Sequence, residues 1–272
     1  MSEHQAVHAP PRDPRDADEG GEVSRLRAAL SDPGRIWNLV GIPIVILIAL
    51  ALLWLLLRDV ELTSREAARL NQPELIHRAR QHAVLSVQAT FWVIVIAVPL
   101  GIVLTRPWAR TITPFALAIA NAGQAIPSFG LLVILAIAIG TGQQTAVIAV
   151  VAYCILPVLR NTMVGIEQVD PAIIEAGRGM GMTKRGVLWK IEMPLAVPVM
   201  LAGVRTALIL AVGTITLGTL IGAGTLGVII NSGIVGFSDP VLITGAVLTA
   251  CFALFIDWVA GIAEVVLRPK GL

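Results

Sequence analysis

Long apolar runs separated by short polar stretches occupy this chain from residue 36 to its end. The first, residues 36–57, holds about 22 residues, which at 1.5 Å each reach about 33 Å, enough to cross a bilayer core of about 30 Å. It is too long for the apolar part of a signal peptide, and no small-residue cleavage site follows, so it is expected to stay as a span. Further runs at 83–104, 112–139, 144–165, 195–220 and 241–267 bring the expected architecture to an all-α membrane protein of six transmembrane helices. Run 112–139 is about 28 residues, too long for one straight crossing, and Pro127 at its middle predicts a kinked or broken helix. Asn121, Gln124 and Ser128 lie beside that break. Such groups either line a cavity, where freed backbone can be satisfied away from lipid, or bond neighbouring helices. Thr214, Thr216 and Thr219 pose a similar choice, between touching a passing solute and bonding back to their own helix.

Between the fourth and fifth runs lies a polar, basic island, DPAIIEAGRGMGMTKRGVLWKIEMP, from Asp170 to Pro194. Asp170 can cap an orphan amide while Pro171 takes the first helical position, where its missing N–H costs nothing. Residues 172–178 then make about two turns. Gly179 and Gly181 allow the positive φ of a sharp exit, Thr183 can cap a second helix to about Ile191, and Pro194 opens the next one. The expected product is an L-shaped hairpin carrying Arg178, Lys184, Arg185 and Lys190 just outside an apolar span. On charge alone it could equally be an ordinary loop held in the cytoplasm by its cations.

Composition supports the membrane reading and narrows the chemistry. The chain is 272 residues long, 56% hydrophobic and 14% charged, with a mean hydropathy of +0.82, well outside the range of soluble domains. Its net charge of +2 is small, and its cations gather at the ends of apolar runs and in the polar tail, which argues against nucleic acid as a partner. Residues 1–34 alternate Arg with Asp and Glu and read as a disordered cytoplasmic tail. Cys154 and Cys251 sit inside apolar runs and behave as small hydrophobes. His77 and His82 are off any shared helical face, so no metal site is expected there. Gly222 to Gly227 match G-x-G-x-x-G, but a membrane helix precedes them where a dinucleotide site needs a strand; a turn into a short re-entrant helix over 226–232 is the better reading. No Gly-rich loop ends in Gly-Lys-Ser/Thr, so the chain carries no ATPase motif. No cofactor is expected, and no nucleophile, base and orienting group converge as an enzyme would require.

The island adds a resemblance. Glu175-Ala176-Gly177, then Gly181, then Ile191-Glu192-Met193-Pro194, resembles the EAA loop of ABC importer permeases in residue type and spacing; Gly177 stands where that pattern has a second Ala, and Met193 where it has Leu. The similarity extends over 81–272. Within it QAIPSFGLL (124–132), LPVLRNTMVGIEQVDP (156–171) and IGAGTLGVII (221–230) look most like permeases of osmoprotectant importers, which carry glycine betaine, choline and carnitine. The resemblance implies a type I ABC importer permease fold in a bacterial or archaeal cytoplasmic membrane, with the permease domain at 81–272 and its coupling loop at 166–194. Residues 35–80 would then be an added helix and outer connector. It further implies two ABC ATPase subunits, a second permease of the same or a sister chain, and an extracytoplasmic binding protein. Glu175, Ala176, Gly177, Arg178, Gly181, Met182, Lys184 and Arg185 would form the surface that seats the ATPase. Selectivity would rest mainly in the binding protein, since quaternary ammonium ions are gripped by aromatic cages and this chain has a single Tyr. The same mechanism could serve another solute such as an amino acid; an ATP-independent secondary transporter is the rival class.

Orientation follows from the cations, because short loops rich in Lys and Arg stay in the cytoplasm. Placing the island inside also places Arg106, Arg110, Arg268 and Lys270 inside, with both termini cytoplasmic, and leaves the Lys- and Arg-free stretch 222–240 outside. The connector 58–80, with five Arg against four acids, is the exception. Arg205 and Asp257 both fall roughly 15 Å into the bilayer. An unpaired charge there costs about 3 kcal/mol on insertion scales, so a mutual ion pair of structural role is expected.

Overall fold

The computed structural model describes residues 40–267, and among them every regular element is helical. The tail reading for residues 1–34 lies outside these residues. Helix α1 (Ile42–Leu57) has 16 residues, about 24 Å, short of a full crossing; residues 36–39 of the expected span are not described. The connector then forms α2 (Ser64–Arg69), held by a reciprocal cap in which the Thr63 backbone N–H donates to Glu66 Oε2 at 2.8 Å and Glu66 N–H to Thr63 Oγ1 at 3.4 Å.

Helix α3 (Gln72–Leu104) is 33 residues long and begins well before the apolar run expected at 83. Its start is set by local chemistry rather than by hydropathy. Asn71 Oδ1 accepts from Glu74 N–H at 2.9 Å, Pro73 sits in the first turn, and Glu74 pairs with Arg78 one turn on at 2.8 Å. Helices α4 (Thr113–Ala125) and α5 (Ser128–Ile139) break at Ile126–Pro127 and cross at 99°. Pro127 lacks the N–H that would continue α4 and biases Ile126 to extended backbone. Helix α6 (Gln143–Glu167) is followed by α7 (Pro171–Gly179) and α8 (Lys184–Val187).

Pro194 stands in the first turn of the α-helix that begins at Met193, as expected, but no gap precedes it. From Lys184 to Ile221 the chain is one helical run of 38 residues: α8, a π turn at Leu188–Glu192, α9 (Met193–Leu217) and a closing 3₁₀ turn at Gly218–Ile221. The π turn, in which Met193 N–H bonds back to Leu188 O, widens the helix where the Pro194 ring would otherwise crowd the preceding turn. A short helix α10 (Gly227–Val235), one residue later at its start and longer than expected, precedes α11 (Asp239–Leu267). By length and composition four helices among the described residues can cross a membrane, five if the bent α4–α5 pair counts as one. The difference from the expected six is the short described length of α1.

Helix α6 is the spine. Leu85, Ala89, Val93 and Ala97 of α3, Val150, Cys154, Val158 and Leu159 of α6, and Ala207, Ala211 and Ile215 of α9 make one buried core. Because lipid tails are as apolar as these side chains, close backbone approach does much of the holding. A Cβ on Gly203 would lie 2.7 Å from Asn161 Cβ and 2.9 Å from Pro157 O, which fixes α9 tightly on α6. One on Gly245 would lie 2.7 Å from Ile230 N, which does the same for α11 and α10.

Candidate functional site

The hairpin projects from one end of the bundle, and each of its turns has a local cause. Asp170 Oδ1 accepts from Ala172 N–H at 2.8 Å, and Pro171 fills the first position of α7. At the exit, Gly181 N–H reaches Arg178 O at 2.9 Å and Met182 N–H reaches Gly177 O at 3.1 Å, the Schellman pair of bonds that requires a left-handed residue. Gly181 supplies it with φ +84. Gly179, expected to share that role, is instead the last residue of α7. Thr183 Oγ1 then accepts from Gly186 N–H at 3.1 Å to start α8.

The surroundings of Gly177 give it a packing role. It is buried, and a Cβ there would come 2.5 Å from Ile191 Cδ1 and 3.4 Å from Met182 Sδ, so the missing side chain lets α7 lie flat on the α8 arm. Glu175, Ala176, Arg178, Lys184, Arg185 and Lys190 are all exposed, and Met182 is half-buried. Around them Ile173, Met180 and Trp189 are exposed as well, Met180 at 77%. Glu175 forms no ion pair within the described residues, and it is the only acid among residues 171–191. A basic surface set with bare apolar side chains is chemically suited to hold an acidic or mixed protein surface.

The base of the hairpin carries a contact that sequence reading missed. Arg106 Nη2 donates to Glu192 Oε2 at 2.7 Å, and Glu192 is 6% exposed. Glu192 closes the basic island just before the next apolar run and its partner is 86 residues away, so no local pattern pointed to the pair.

Of the polar groups beside the Pro127 break, Asn121 is exposed. Its Nδ2 donates to Leu117 O at 2.7 Å while its Oδ1 accepts from Arg160 Nη2 at 2.9 Å. Gln124 and Ser128 are half-buried. Thr214 is buried, Thr216 donates to Val212 O of its own helix at 3.1 Å, and Thr219 is half-buried in the 3₁₀ turn. Deeper in the bundle, Arg205 Nε lies 2.6 Å from Asp257 Oδ1 and Arg205 Nη1 lies 3.4 Å from Glu264 Oε2. Glu264 was not anticipated, although its seven-residue spacing from Asp257 puts both on one helical face.

At the opposite end, Gly222 and Gly224 have φ of +87 and +74, and the turn they form follows a helix, so the dinucleotide spacing has no strand to work with. Arg78 Nη1 donates to Gly224 O at 3.1 Å, and Ser238 Oγ donates to Glu66 Oε1 at 2.5 Å. These bonds tie the α2–α3 connector to the turns flanking α10 across a cleft of about 1290 Å³. His82 is buried, with Nε2 3.0 Å from Val212 O and its ring edge-on to Phe252, whereas His77 is exposed. The Ser238 hydroxyl, with the Thr63 backbone and side chain, holds the Glu66 carboxyl below the ordinary glutamate range. A depressed acid stabilises its contacts above its unfolded value and loses them as pH falls through its folded one. Protease access to the connector is therefore expected to rise on acidification, and Glu66→Gln to show raised access at neutral pH with a flatter pH profile. Equal access at all pH values would contradict this.

Comparison with known proteins follows the same lines. A family model described as "binding-protein-dependent transport system inner membrane component" matches residues 97–268. The chain is 38% identical over 204 residues to the choline transport system permease protein OpuBB of Bacillus subtilis, covering 74% of this chain and 92% of that one. It is 37% identical over 221 residues to the osmoprotectant import permease protein OsmY of Salmonella typhimurium, covering 81% and 91%. In fold it is similar to the MetNI methionine ABC transporter in inward-facing conformations, with a TM-score of 0.65 at 24% identity, covering 74% of this chain and 100% of that one.

Proposed function

This chain belongs to the binding-protein-dependent transport system inner membrane components, the permease subunits of ABC importers, and we propose that it forms half of a pathway for a small quaternary-ammonium osmoprotectant. It is a multi-pass inner-membrane transport subunit, and ATP hydrolysis belongs to separate subunits of the importer. In this reading two such chains, identical or sister, pair around a central route; two ATPase subunits seat the hairpins, and an extracytoplasmic binding protein delivers the solute. The hairpin end, with Arg106 and Arg110 beside it, faces the cytoplasm, and the α10 end faces outward. The names of the relatives support a solute of the choline, glycine betaine or carnitine type, with the binding protein setting selectivity.

The observation that carries the reading is the hairpin: a rigid, glycine-turned, basic element with bare apolar side chains, projecting from a bundle that has no nucleotide motif of its own. Closure of the ATPases around ATP would move this lever as a rigid body and open the route to the other side. The test is uptake of labelled glycine betaine, choline and carnitine into vesicles. With ATPase subunits, binding protein and ATP supplied, at least one solute accumulates. Accumulation by this chain alone, without nucleotide or companions, overturns the reading.

A further inference from the structure

The coupling hairpin is joined covalently only to α6 and α9, yet its base is also fastened to α3. Arg106 follows the end of α3, where the last carbonyls have no intrahelical partner. Its Nε donates to Ile102 O at 3.2 Å and its Nη2 to Thr105 Oγ1 at 3.0 Å, so the guanidinium is held against the helix end it terminates. The same Nη2 crosses to Glu192 Oε2 at 2.7 Å. Glu192 is the last residue of the π turn Leu188–Glu192, the one place between hairpin and α9 where the helix departs from α-helical bonding, and such turns are favoured places for a helix to bend. Next to the ion pair Ile166, Ala196 and Met200 form a small core with Val98, Ile102 and Met193. There α6 and α9 approach so closely that a Cβ on Gly165 would lie 2.9 Å from Ala196 O.

We propose that the Arg106–Glu192 ion pair is the anchor that braces the π turn, so that displacement of the hairpin is passed into α3, α6 and α9 together instead of being absorbed by bending at Leu188–Glu192. Both act as positioning residues, through the hairpin they hold. The bond joins two charged groups, one almost fully buried, and so belongs to the strong class of hydrogen bonds. The inference rests on the reading of the hairpin as the ATPase's seat.

The experiment measures, in vesicles holding the complete importer, both ATP hydrolysis and glycine betaine uptake for the wild type, Glu192→Gln, Arg106→Gln and the double variant. Each single variant is expected to lower the solute moved per ATP about tenfold, the effect of losing one charge-assisted hydrogen bond, while hydrolysis continues. The double variant is expected to be no worse than either single one, because both remove the same bond. Parallel loss of hydrolysis and uptake, additive losses, an unchanged ratio, or disappearance of the assembled complex from the membrane in the single and double variants alike would each overturn the anchor. The wild-type arm separates the two levels: uptake without ATP dependence removes the hairpin reading itself, whereas ATP-driven uptake with a normal ratio in Glu192→Gln removes only the anchor.

Discussion

Replacing Gly181 by aspartate is expected to abolish ATP-driven uptake while the chain still inserts in the membrane at its normal level. The backbone there has φ +84, which side-chain-bearing L-residues adopt at a cost of roughly 1–2 kcal/mol; Asp is among the residues that tolerate it best. No atom lies within 4 Å of where its Cβ would stand, so the bundle has no reason to unfold. The damage is confined to the hairpin tip. Strain pulls on the Gly181 and Met182 bonds that close α7, and a carboxylate enters a surface whose exposed charges are Arg178, Lys184, Arg185 and Lys190 against Glu175 alone. If that surface seats the ATPase, a misplaced charge at its centre corresponds to a loss of about thirtyfold or more in affinity, the size of an interface hot spot. Co-purification of the ATPase subunits and uptake should fall together while membrane content holds. Gly181→Asn, which tolerates the same backbone without the charge, should retain more of both. Normal uptake by Gly181→Asp would remove the hairpin from the coupling path.

How much of this was legible beforehand depends on the range of the interaction involved. Asp170, Pro171, Thr183 and the Gly181 turn are readable because a cap or a positive φ is decided within about four residues of chain. Pro127 announces a break for the same reason, though the 99° between α4 and α5 depends on what each half packs against, which no local pattern states. Hydropathy marks where lipid contact begins and not where a helix begins. Hence α3 starts at Gln72, where Asn71 caps it, and the run 184–221 passes through Pro194 on a π turn. The ion pairs divide along the same line. Arg205 and Asp257 could be matched because both are costly at similar depth, and depth is a count along the chain. Arg106–Glu192 and Glu66–Ser238 join points 86 and 172 residues apart near the ends of helices, where a charge needs no partner to be tolerated, so nothing in the sequence demanded one. The packing role of Gly177 escaped the sequence for a related reason: helix propensity is visible locally, whereas the Ile191 side chain it makes room for is not.

The ion cluster on α11 sets the second large effect. Arg205 serves two carboxylates, with Nε 2.6 Å from Asp257 and Nη1 3.4 Å from Glu264. A Cβ on Gly261, one turn along from Asp257, would stand 3.5 Å from the guanidinium, so the glycine leaves a slot for it between the two acids. Arg205→Ala therefore strands two acids on one helical face instead of one. An unpaired charge inside a span costs about 3 kcal/mol on insertion scales, and breaking a buried pair from one side costs about 3–5 kcal/mol. Arg205→Ala is thus expected to lower stability by about 3 kcal/mol, read as a marked fall in unfolding temperature of the purified subunit and in its level in the membrane. Arg205→Ala/Asp257→Ala should recover only part of that, because Glu264 is still left without its cation. Adding Glu264→Gln should recover most of the remainder, since no charge of the cluster then stays in the span. If the triple variant were as unstable as Arg205→Ala, the cost would lie in the lost packing of the arginine stem rather than in stranded charge, and the electrostatic role of the cluster would be refuted.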